Sequence, residues 1–83
     1  MNIPLDAIAA FNTVGGIKPA YIRMEDEAHR LHTYKIANIE FTKDENYSGV
    51  QSLLFVCNVD MGDCMKCIKI RYLIDTHKWL LVS

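Results

Sequence analysis

Between Ile68 and Asp75 the chain alternates: Ile68, Ile70, Tyr72 and Ile74 share one parity, opposed by Lys69, Arg71 and Asp75. A period of two is the pattern of a strand with one buried face, and a helix would scatter these residues around its axis. The stretch around it, Cys64 to Val82, also carries the single tryptophan, two of the three cysteines and His77.

Two turns extend the pattern. A two-residue hairpin at Met61-Gly62 sets Val59 opposite Cys64, Cys57 opposite Lys66, Phe55 opposite Ile68 and Leu53 opposite Ile70. A second at Thr76-His77 sets Ile74 opposite Trp79 and Tyr72 opposite Leu81. Both registers assign one apolar face: Leu53, Phe55, Cys57, Val59, Cys64, Ile68, Ile70, Tyr72, Ile74, Trp79 and Leu81. On the other face Leu54, Val56, Leu73, Leu80 and Val82 stand beside Lys69, Arg71 and Asp75. That face is too apolar to be merely solvated, so a helix or a partner is expected to cover it.

Upstream, Ile17 to Asp26 reads as a strand, with Pro19 placing it at an edge or at the strand's first residues. Asp26-Glu27-Ala28-His29 reads as a turn and Arg30 to Thr42 as the next strand. Tyr34 and Ile36 share one parity and Ile39 and Phe41 the other, so a bulge near Ala37-Asn38 is predicted to bring all four to one face. Lys43 to Gly49 reads as a polar loop and Val50 to Asp60 as the third strand. Residues 1–16 read as a short helix: Pro4 suits a first turn, Asp6 favours the positive helix end, the alanines favour helix, and Gly15-Gly16 stops it.

The expected fold is α+β but mainly β. Residues 1–83 form a single domain, with the helix and its Gly-Gly stop in 1–16 and an antiparallel sheet in 17–83. That sheet is a curved five-stranded meander, a half-barrel, with SH3-like and OB-like closures both open. Such a chain buries roughly 60–70% of its extended surface, which is enough for one core.

For function, the chain excludes more than it selects. The net charge of −1 gives no global field for nucleic acid or anionic lipid, although residues 64–83 carry a local +3. No apolar run approaches the ~18 residues of a spanning helix. Asp6 interrupts the first apolar run, no basic region precedes it, and the cysteine count is odd. These features together predict a cytoplasmic setting without a signal peptide.

Cys64-x-x-Cys67 invites a zinc or redox reading, with Cys57 and His77 as the other ligands. Residues three apart on a strand point to opposite faces, however, so Cys64 and Cys67 would look away from each other. Buried or half-buried inert thiols are the expectation, with no metal and no cofactor. The acidic groups Glu25-Asp26-Glu27 and Asp60/Asp63 lie at turns, where carboxylates are solvated. No phosphate loop or nucleophile turn is present, and no catalytic residue is assigned.

The leading reading is therefore a non-enzymatic protein-interaction module acting on an unidentified protein or on itself as a homodimer. Its face is Leu54, Val56, Lys69, Arg71, Leu73, Lys78 and Leu80. The alternative is weak nucleic-acid binding on the outer face of the C-terminal hairpin, with Lys69, Arg71, Lys78 and Arg23 beside Tyr21, Tyr34 or Tyr47. The second alternative is the Cys57/Cys64/Cys67/His77 zinc site.

The strings Ile17-Lys18-Pro19-x-Tyr21-x-Arg23-x-Glu25-Asp26, His32-x-x-Lys35-Ile36, Phe55-x-Cys57, Arg71-Tyr72 and Lys78-Trp79 carry a resemblance. The chain resembles, over about Ile17 to Leu81, a family of small uncharacterised β-rich proteins of Gram-positive gut bacteria, often carried near mobile elements. The resemblance implies a bacterial cytosolic protein with a small β fold and carries no active residue. Members often have cysteine where His77 stands here.

Overall fold

The computed structural model describes residues 2–13, 16–25, 28–47 and 49–82. Six strands follow one another: β1 (Asn2–Phe11), β2 (Ile17–Glu25), β3 (Leu31–Tyr47), β4 (Val50–Asp60), β5 (Met65–Leu73) and β6 (Lys78–Val82). All neighbours pair antiparallel, and β1 pairs with β6, which closes the sheet into a barrel. Among the described residues there is no helix, so none is long and apolar enough to cross a membrane.

The fold is thus all-β and six-stranded, which corrects the expected α+β half-barrel. Residues 2–11 are a strand, not a helix. Leu5 and Ala7 pack against the core, Ile8 is turned outward, and the segment pairs with β2 along one side and with β6 through Asn2↔Val82 to Leu5↔Trp79 on the other. Alanine favours helix by only a few tenths of a kcal/mol per residue, and a short isolated helix is marginal. Two ladders and burial in a shared core outweigh that preference. At the end of β1 the chain turns back through Asn12 and Gly16. The Asn12 amide donates to the Gly16 carbonyl at 2.9 Å, and the Gly16 amide donates to Asn12 Oδ1 at 2.7 Å. A Cβ at Gly16 would meet the tip of the Asn12 side chain at 2.8 Å and push it out of this hydrogen bond. Gly15, and Asp26 and Glu27 of the expected next turn, lie outside the described residues.

Pro19 sits third in β2, where β2 pairs with β1 only, because the ladder to β3 begins at Tyr21↔Lys35. No β3 partner there requires the N–H that proline lacks. β3 carries two irregularities, one between Ile36 and Asn38 and one between Ile39 and Phe41. The first is the predicted bulge and keeps Tyr34, Ile36 and Ile39 against the core. The second reverses the phase again, so Phe41 points out, 51% exposed and opposite Val56, while Thr42 lies opposite buried Phe55. β3 then runs on to Tyr47 through the stretch read as a loop, pairing Lys43 with Leu54 through to Tyr47 with Val50. Polarity misled there, because the pairing of Lys43–Asn46 with β4 requires no apolar side chains.

The two C-terminal hairpins each have a four-residue connection in place of the expected two. β4 pairs with β5 as Phe55↔Ile70 and Cys57↔Ile68, and β5 pairs with β6 as Ile70↔Leu81 and Tyr72↔Trp79. Each register is two residues from the expected one, and an even shift leaves every strand side chain on its expected face. Cys64 and Ile74 fall into the turns instead and are exposed, so they leave the core list. The buried core is Ile22, Ile36, Phe55, Cys57, Val59, Ile68, Ile70 and Tyr72. Trp79 packs over it, its ring 4.7 Å from Tyr72 and 5.8 Å from Phe55 between centroids.

Candidate interaction surface

The outward parity of β4, β5 and β6 forms one continuous face. Reading across the ladders, one row runs Lys43, Leu54, Arg71, Leu80, Pro4. The row beside it runs Phe41, Val56, Lys69, Val82, and the row on the other side Ser52, Leu73, Lys78. Leu54, Val56, Leu73, Leu80 and Val82 are half-buried, Lys43, Lys69 and Lys78 are exposed, and Phe41 adds a ring at the border. All seven residues of the expected face (Leu54, Val56, Lys69, Arg71, Leu73, Lys78, Leu80) lie together here.

Arg71 behaves differently from its expected role as an outward cation. It is only 8% exposed, and its Nη2 lies 3.5 Å from Glu45 Oε1. Ser52 is buried beside this pair, its hydroxyl donating to the Glu45 carbonyl at 3.2 Å. The guanidinium is therefore committed to β3 and acts as a strut under the face, with its stem between Leu54 and Leu80. The exposed lysines provide the accessible positive charge. Sequence reasoning missed Phe41 and Lys43 as members of the face, because only the second β3 bulge turns them outward and nothing in the alternation signals it.

The residues of the nucleic-acid reading do not share a surface. Tyr34 packs against the core. Tyr21 and Arg23 are exposed on β2, paired with β1 and β3 rather than with the strands that carry Lys69. The side chain of Tyr47 lies outside the described residues.

The proposed zinc ligands are likewise dispersed. Cys57 is buried inside the barrel opposite Ile39 and Ile68, Cys67 is exposed opposite Asn58, and Cys64 is in the β4–β5 turn. His77 lies in the β5–β6 turn with φ of 57°, its Nδ1 hydrogen-bonded to the Tyr72 hydroxyl at 2.7 Å. Among the described residues no three His, Cys, Asp or Glu side chains converge to hold a metal ion. The three thiols are free.

Burial pushes the Cys57 thiol up from 9.0 to about 11, and the nearby Cys67 adds to the shift. Cys64 is raised as well, through desolvation first and then through the Asp63 carboxylate, with Lys66 opposing. The folded protein therefore keeps the Cys57 proton to higher pH than the unfolded chain does. Stability from this group is intact below about 9 and falls by about 2–3 kcal/mol as pH rises to about 11. Urea titrations at pH 8 and 10.5 should show this loss in the wild type and a smaller one in Cys57→Val. In the same samples a thiol reagent at pH 8 should label Cys64 and Cys67 promptly and Cys57 only on unfolding.

No protein-family model, curated protein or solved structure matches the chain.

Proposed function

We propose that the chain is a non-enzymatic protein-interaction module that docks a partner protein on the outer face of β4, β5 and β6. The observation that carries this reading is the half-buried apolar centre of that face, over which no helix lies among the described residues. Leu54, Val56, Leu73, Leu80 and Val82 adjoin one another across three strands, and residues 2–11, expected as a helix and one of the two possible covers, are a strand of the barrel. Contiguous apolar surface with a polar rim is the usual form of a docking site. Lys43, Lys69 and Lys78 around it favour a partner whose apolar contact is bordered by carboxylates.

A photo-crosslinking residue at Leu73, introduced in host cells, tests this directly. The expected result is one adduct of defined mass, lost when Leu54→Lys or Leu80→Lys is added and retained when Thr33→Lys is added on the far side of the barrel. No adduct from Leu73, or an adduct indifferent to Leu54→Lys and Leu80→Lys, overturns the reading. Both lysine variants replace half-buried outer residues, so each should cost no more than about 1–2 kcal/mol of stability.

A further inference from the structure

The barrel closes unevenly. β1 has ten residues and β6 five, and their ladder stops at Leu5↔Trp79. From Ala7 to Phe11 the edge of β1 that faces away from β2 has no strand beside it among the described residues. Natural edges are usually blunted by charge, proline or a covering element. Ala7 to Phe11 has neither charge nor proline, and it carries two strongly exposed apolar residues, Ile8 at 61% and Phe11 at 67%. At its foot β1 and β6 part around a gap of ≈680 Å³ lined by Leu5, Ala7, Lys78 and Trp79 among others.

We propose that this edge pairs antiparallel with the same edge of a second copy, about a two-fold axis through Ala9. A two-fold perpendicular to the sheet keeps each side chain on its own face, so residues opposite each other must share parity. An axis at Ala9 sets Ala9 opposite Ala9, Ile8 opposite Ala10 and Ala7 opposite Phe11. Each contact joins small to small or large to small. The Phe11 ring of one copy falls over Ala7 of the other, at the gap beside Trp79. No like charges meet, since Asp6 lies just beyond the paired stretch. An axis at Ile8 would instead set Ala10 opposite Asp6, where Lys78 and His77 already border the gap. The dimer leaves Leu54, Val56, Leu73 and Leu80 of both copies outside the contact, which makes the module bivalent.

A five-residue edge pair is smaller than a standard interface, so half-dimerisation is expected at a concentration on the order of 100 µM. Sedimentation equilibrium on the full chain with Cys64→Ser and Cys67→Ser should show a monomer–dimer equilibrium across that range. Phe11→Lys should raise the dissociation constant at least tenfold without moving the thermal midpoint, and Leu80→Lys should leave it unchanged. Ala9→Cys in the same background should oxidise to a covalent dimer, whereas Ile8→Cys should not. A chain that stays monomeric at millimolar concentration overturns the proposal. So does a dimer broken by Leu80→Lys and indifferent to Phe11→Lys, because that pattern places the contact on the outer face.

Discussion

Phe55→Ala should destabilise the protein by about 3–5 kcal/mol, the usual cost of removing a fully buried aromatic ring. Phe55 is 2% exposed and packs against Trp79, and in the ladders it stands between Thr42 and Ile70. A chain of this size has about 4–12 kcal/mol of stability in total, so the variant should be largely unfolded in low urea. Phe41→Ala is the informative comparison. The same residue type on the preceding strand should cost less than about 1 kcal/mol, because the second bulge of β3 leaves its ring 51% exposed. Equal losses at the two sites would mean that the phase of β3 is wrong.

Removing residues 1–11 should abolish cooperative folding altogether. β1 supplies the ladders to both β2 and β6, and its loss uncovers Ile22 and Trp79 while leaving two sheet edges bare. Near-UV circular dichroism and a urea transition would register the outcome as loss of both signals. A short helix laid on the outside of a five-stranded sheet could be removed with a partial loss of stability. A truncated chain that still unfolds cooperatively would therefore favour that arrangement over the closed barrel.

The contrast between these segments explains what could be read from the residues. From Leu53 to Leu81 alternation alone placed nearly every side chain on its correct face, although both turns are two residues longer than expected. The error was even, and strand parity is blind to even errors. Cys64 and Ile74 went wrong because they stand where the extra turn residues fall. In β3 the first bulge was legible from the change of phase after Ile36. The second was not, because Phe41 and Thr42 could each be inward on pattern alone. β1 reads as a helix because three alanines and Pro4 favour a helix start locally, while the strand is selected by its partners in β2 and, 74–80 residues away, in β6. The outer face was legible as a set of residues. That no helix lies over it among the described residues is not legible, since it depends on what residues 2–11 become. The burial of Arg71 depends on Glu45, which lies in a stretch whose polarity resembles that of a loop, and Ser52 of β4 holds the Glu45 carbonyl beside it.

Residues 2–11 close the barrel as a strand, and among the described residues no helix lies over the outer face of β4, β5 and β6. Nuclear Overhauser contacts in the labelled protein test it in one experiment. Cross-strand backbone contacts are expected between Asn2–Leu5 and Trp79–Val82 and between Asp6–Ile8 and Tyr21–Arg23, with none from the side chains of Ile8 or Phe11 to Leu54 or Leu80. Sequential helical contacts between residues three apart over 4–11, with Ile8 or Phe11 touching Leu54 or Leu80, would contradict it.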